Sequence, residues 1–162
     1  MTSQILIEQS TCALDAWVRL LRAHAASTRA LSAELVTEHG LTINDFEALA
    51  HLAREEGQRM RRVDLSERLL LTPSGVTRLL SGLERAGYVE KASCSSDARV
   101  TYAVLTEAGR RKLAEASCAH FEAIETLFGE HLAENEVAQL SELLGRLPGG
   151  GGPTDCAVGV PS

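Results

Sequence analysis

Thr72, Ser74, Thr77 and Arg78 crowd hydroxyls and one guanidinium into a single short stretch of the chain. A polar segment further on carries Asp97 and Arg99. Hydroxyls donate and accept, and a guanidinium donates in a planar fork, so such a set suits the recognition of oxygen-rich surfaces. It does not suit bond cleavage. The nucleophile elbow G-x-S-x-G, the phosphate-binding Walker loop, the H-E-x-x-H zinc helix and the dinucleotide fingerprint are all missing from the sequence. An enzyme is therefore not expected, and no cofactor or metal is implied.

The elements around these residues say what they would recognise. Asp64 and Glu67 have capping-box spacing ahead of Leu65, Leu69 and Leu70, which predicts a short helix beginning at Asp64. Thr72 is a good N-cap, and Pro73 at the next position lacks the N–H that a first helical turn leaves unpaired. Val76, Leu79, Leu80 and Leu83 then form an apolar back, leaving Ser74, Thr77, Arg78 and Ser81 on the open side. Gly87 ends this helix. Two β-rich runs, Tyr88–Ala92 and Arg99–Leu105, flank the turn Ser-Cys-Ser-Ser-Asp-Ala and predict a hairpin. Helix, turn, helix and hairpin is the order of a winged helix-turn-helix, in which the second helix enters the major groove of DNA.

Longer helices flank this unit. Leu14, Trp17, Leu21, Ala25, Thr28, Leu31 and Leu35 make one stripe over 11–38, a rod of roughly 40 Å that Gly40 stops. Thr42 and Asp45 form a second capping box, with Ile43, Phe46, Leu49, Ala50 and Ala53 as the inner face of the helix that follows. Thr106 caps a helix through about Phe128 with the stripe Leu113, Ala116, Ser117, His120, Ile124, Leu127 and His131, and a last helix covers about Glu134 to Leu147. The fold class expected is mainly α with a small β-hairpin wing: one domain over 10–147, its winged unit at 41–109, with dimerisation helices at 10–39 and 110–147. The glycine-rich segment 148–162 reads as a disordered tail. The flanking stripes exceed the needs of one small domain, which points to a helical layer between two subunits.

The chain has 162 residues and a formal net charge of −6, an unpromising sum for a DNA binder. The charge is unevenly distributed. Residues 57–99 carry eight basic side chains (Arg59, Arg61, Arg62, Arg68, Arg78, Arg85, Lys91, Arg99) against five acidic ones, a local balance of +3. Counterion release depends on that local face rather than on the total. No apolar run approaches the ~18–20 residues of a membrane span, and the N-terminus lacks a secretory pattern, so a cytoplasmic location is expected. Cys12, Cys94, Cys118 and Cys156 are scattered without a CxxC pair, which argues against a disulfide framework or a zinc ribbon.

From Leu41 to Gly109 the chain resembles the MarR family of bacterial winged-helix regulators. The resemblance rests on L-T-I-N-D-F-E-A-L-A-H-L, on L-S-E-R-L-L-L-T-P-S-G-V-T-R-L-L-S-G-L-E-R-A-G-Y-V, and on D-A-R-V-T-Y-A-V-L-T-E-A-G. It implies a homodimeric, sequence-specific DNA-binding transcriptional regulator, a repressor or an activator, released from a pseudo-palindromic operator by a small molecule, often phenolic, or by an oxidant. A repressor released by a small molecule is the reading favoured. Carried over by position, it puts Ser74, Thr77 and Arg78 in the major groove and Thr72 and Ser74 near phosphates. Arg78 then pairs with a guanine edge or a phosphate, and Arg99 enters the minor groove with Asp97 holding its guanidinium. In this chain Ala98 precedes a single Arg99, where family wings often carry two adjacent arginines.

The signal is less legible. Trp17 and His24 lie seven residues apart on one apolar stripe, a pairing suited to a pocket for an aromatic acid. Cys12, near the start of the first helix, keeps a redox-responsive regulator open as an alternative. A metal-responsive regulator would need His24, His120 or His131, among which no close ligand pair exists. A winged-helix module that binds proteins rather than DNA is the remaining alternative.

Overall fold

The computed structural model describes residues 2–93 and 100–150, with side chains from Cys12 onward. Residues 94–99, which hold Cys94, Asp97 and Arg99, and residues 151–162, which hold Cys156, lie outside the described residues. Along the chain run α1 (Thr2–His39), α2 (Ile43–Arg54), a 3-10 turn (Glu56–Gln58), β1 (Arg59–Arg61), α3 (Arg62–Arg68), α4 (Pro73–Arg85), β2 (Val89–Ser93), β3 (Thr101–Leu105), α5 (Glu107–Gly129) and α6 (Glu134–Gly145). The architecture is a winged helix-turn-helix with helical flanks, mainly α. Among the described residues no helix is long and apolar enough to cross a membrane.

The caps explain most of the boundaries. Gly40, at φ +67°, turns the chain out of α1. Thr42 Oγ1 accepts from Asp45 N at 3.2 Å while Asp45 accepts from Thr42 N at 2.9 Å, closing the capping box of α2. Thr72 Oγ1 accepts from Gly75 N at 3.1 Å, and Thr106 Oγ1 from Gly109 N at 3.0 Å, starting α4 and α5. The expected start of α3 needs correction. That helix begins at Arg62 with Arg61 at the cap position, whose side chain makes no capping bond to the helix backbone, and Asp64 lies inside the first turn. The carboxylate of Asp64 is engaged elsewhere: Arg61 donates to it from Nε at 2.6 Å and from Nη2 at 2.7 Å. A bidentate guanidinium outcompetes the capping geometry there.

The hairpin pairs Val89 with Leu105 and Ser93 with Thr101, and β1 adds a third strand on the other edge of β3, Met60 opposite Ala103. The sheet order is β1-β3-β2. β1 was not predicted, because Arg-Met-Arg holds one apolar residue and no measurable alternation. It forms because the free edge of β3 offers unpaired backbone groups and because Met60 goes into the core, 5% exposed. That core joins Leu35 of α1, the Phe46, Leu49 and Leu52 face of α2, Leu65 of α3, Val76, Leu80 and Leu83 of α4, Ala103 and Leu105 of β3, and Leu113 and Ala116 of α5.

Two regions stay outside this core. The first half of α1 presents Leu14, Trp17 and Leu21 at 61%, 56% and 48% exposure, and α6 buries none of its residues. The lower part of the α1 stripe, Leu31 and Leu35, packs into the body.

Between the start of the hairpin and α5, backbone meets backbone. A Cβ on Gly109 would lie 2.1 Å from Tyr88 O and 2.8 Å from Leu105 Cδ1. In α4, a Cβ on Gly82 would meet nothing within 4 Å. Gly109→Ala should therefore destabilise by about 3 kcal/mol or more through overpacking. Gly82→Ala should stabilise by roughly 0.5–1 kcal/mol through helix propensity. Urea denaturation of the two variants checks both signs.

Candidate nucleic-acid interface

The open face of α4 is built from its two ends. Thr72 caps the first turn, Pro73 has no N–H, and Gly75 N is taken by the cap, so Ser74 N is left without an intrahelical acceptor at the positive end of the helix. With Val76, Leu80 and Leu83 buried, the 3.6-residue period puts Ser74, Arg78, Ser81 and Arg85 along the centre of the opposite face and Thr77 at its flank. All five are exposed. Thr77 Oγ1 donates to Pro73 O at 2.9 Å and Ser81 Oγ to Thr77 O at 2.8 Å. Their single donors are thus used within the helix, and their lone pairs face outward as acceptors.

The cations of the reading unit divide into held and free. Arg61 is clamped to Asp64, Arg62 Nη2 lies 4.0 Å from Glu84, Arg68 bridges to Glu55 at 3.3 Å, and the Arg59 guanidinium sits 5.2 Å over the Tyr102 ring. Arg78 has no hydrogen-bond or ion-pair partner among the described residues, and Arg85 is steadied only by Nε donating to Ser81 O at 3.1 Å. Arg85 escaped sequence reading because it follows Glu84 at the end of a capped helix and looks like a dipole partner. Counting α4 by its period from Arg78 would have found it two turns on. Asp97 and Arg99 lie outside the described residues.

A cavity of about 570 Å³ opens behind this unit, between α1, α2, α5 and the turn joining α3 to α4. Asn44, Glu47, His51 and Arg54, spaced three, four and three along α2, line one side of it. Phe46, Leu69, Phe121 and Ile124 give it apolar and aromatic walls. His24 is among the lining residues. Trp17, expected beside it, is not: two turns nearer the N-terminus, it stands on the part of α1 that no other element covers. The cavity instead receives His120 of α5, 7% exposed, its ring 4.6 Å from that of Phe46 and its Nδ1 buried without a hydrogen-bond partner among the described residues. Burial lowers the His120 pKa, because desolvation disfavours the charged ring. Burial also raises the Glu47 carboxyl, with the charge of His24 opposing that rise. Among the described residues no three His, Cys, Asp or Glu side chains converge as a metal site.

The profile of the MarR family matches residues 39–100. AbsC, a MarR family transcriptional regulator from Streptomyces coelicolor, superposes with a TM-score of 0.72 at 31% identity, over 81% of this chain and 88% of its own. The chain belongs to the MarR family. The MarR fold is shared with a second S. coelicolor regulator solved in complex with DNA, 24% identical, TM-score 0.73, over 79% of this chain and 80% of that one. It is shared also with CouR from Rhodococcus jostii RHA1, solved bound to p-coumaroyl-CoA, 25% identical, TM-score 0.66, over 81% and 90%. As a member of the MarR family the protein is a DNA-binding transcriptional regulator rather than an enzyme.

Two expectations follow. Arg78→Ala should weaken binding to a selected duplex by ~1–3 kcal/mol. Arg85→Ala should lower the slope of log affinity against log salt by about one, with sequence preference intact. Competition titrations at several salt concentrations separate the two. The second concerns His120. Its folded pKa lies below the unfolded value of 6.5, so the unfolded chain binds more protons and stability falls as pH drops through and below that value. His120→Phe should flatten the dependence of stability on pH between 7 and 5, as measured by denaturation at each pH.

Proposed function

We propose that this MarR family regulator acts as a homodimeric repressor. Each protomer places α4 in one of two successive major grooves of a pseudo-palindromic operator, and a small molecule in the α1–α2–α5 cavity releases it. The observation that carries this reading is the α4 face. Ser74, Thr77, Arg78 and Ser81 stand exposed beside a capped, positive helix end, and Arg78 has no partner among the described residues while Arg61, Arg62 and Arg68 are paired. The bidentate fork of Arg78 suits a guanine edge, and Ser74 with Thr72 suits a phosphate at the helix N-terminus. From the family resemblance, Arg99 at the wing tip reaches the minor groove with Asp97 as its partner.

The uncovered helices support the dimer. Leu14, Trp17 and Leu21 on α1, with Leu143 of α6 and Leu147 just beyond it, are large apolar side chains left in water on the flanking helices. A second copy covers them, which assigns Trp17 to the dimer layer rather than to the cavity. Half-sites on one face of a duplex repeat at about 34 Å, so a modest change in the angle between protomers spoils simultaneous docking. An effector with a 100-fold preference for the mismatched form shifts the equilibrium by about 2.7 kcal/mol. The cavity supports such an effector through its size and aromatic walls, with His24 at its edge and a ligand-bound relative in CouR.

Selection of binding sites from random duplexes, followed by titration against scrambled sequence, tests the central reading. A recovered palindromic motif is expected, and binding that ignores sequence would count against it. For the dimer, Trp17→Glu should shift sedimentation at micromolar concentration from dimer towards monomer and weaken operator binding more than tenfold. Wild-type protein that sediments as a monomer with full operator affinity overturns the dimer.

A further inference from the structure

The turn between α3 and α4 contains a residue of the wrong type for its backbone. Leu70 N donates to Glu67 O at 3.3 Å, Leu71 N donates to Ser66 O at 3.2 Å, and Ser66 Oγ donates to Leu71 O at 2.7 Å. The two backbone bonds are those of a Schellman ending, which requires a left-handed residue just past the helix cap and is usually met by glycine. Here it is Leu70, at φ +52°. Its side chain is 91% exposed, although Leu69 before it is buried and Leu71 after it packs against the core. The chain thus bears backbone strain and an apolar side chain in water at the same residue.

The position has two neighbours of consequence. Leu70 borders the cavity, in whose walls Phe121 and Ile124 of α5 also stand. On its other side, one residue separates it from Thr72, the cap that starts α4. We propose that Leu70 is the positioning residue through which an apolar occupant of the cavity acts on the reading helix. This rests on the cavity being the effector site. The occupant packs on the Leu70 side chain, so a turn geometry that buries Leu70 against it gains over one that leaves Leu70 in water. A ligand shifts an equilibrium only by such a difference. Because the left-handed leucine is strained, its turn lies near in energy to alternatives in which α3 runs on, and Thr72 and the start of α4 move with it.

The test uses the full chain, the duplex recovered by selection, and the dye 8-anilinonaphthalene-1-sulfonate as an aromatic anionic probe. Dye affinity is read from its fluorescence, and duplex affinity is measured with and without saturating dye. Leu70→Gly accommodates φ +52° without strain and so keeps the fold, while Leu70→Met keeps an apolar side chain. In wild type the dye should lower duplex affinity at least tenfold. In Leu70→Gly that factor should fall below twofold, with dye-free duplex affinity within twofold of wild type, and Leu70→Met should restore it. An undiminished factor in Leu70→Gly overturns the role of Leu70 while leaving the cavity reading intact. So does a tenfold loss of dye-free duplex affinity in that variant, which would place Leu70 at the DNA. Dye that does not bind wild type, or binds without changing duplex affinity, overturns the cavity as effector site and the role of Leu70 with it.

Discussion

Thr106 Oγ1 donates to Gly87 O at 2.6 Å, Thr106 N donates to Tyr88 O at 3.0 Å, and Gly109 lies so close beneath Tyr88 that a single methyl group would collide. This junction ties the end of α4 and the start of the hairpin to the first turn of α5. The direction of the reading helix, the root of the wing and the path of the flanking helix are therefore set by one set of backbone contacts. Gly87, at φ +75°, lets the chain make the corner, and Gly109 lets the two backbones touch.

The reading unit is rich in arginine, yet pairs with Asp64, Glu84 and Glu55 and the Tyr102 ring occupy the cations around its edge. Such exposed pairs are worth at most about 1 kcal/mol each, so phosphate can still compete for them. Arg78 and Arg85 need no such exchange. A protein of net charge −6 thus presents two cations without an ion-pair partner among the described residues, Arg78 and Arg85, along one helix face, where the register of α4 puts them.

The cavity lies against the same frame from the other side. Its walls come from α1, α2 and α5, and its edge is the α3–α4 turn. Groups that burial shifts, Glu47 and His120, sit there rather than on the reading face. The exposed polar side chains of α4 and the buried polar groups of the cavity thus stand on opposite sides of the winged unit.

Local patterns sufficed for much of this. The caps at Thr42, Thr72 and Thr106, the glycines at 40 and 87, and the apolar backs of α2 and α4 depend on neighbours within one or two turns, so the sequence alone determined the helices, the order of the winged unit and the open face bearing Ser74, Thr77 and Arg78. It could not supply what depends on distant partners. β1 exists because β3 has a free edge, α3 starts early because Arg61 claims Asp64, and His120 rather than Trp17 meets the cavity because α5 crosses α2 at Phe46. Whether an arginine is free or held, and whether a leucine at a left-handed turn is covered or left in water, follows from which elements come together in space. Only the tertiary structure decided those.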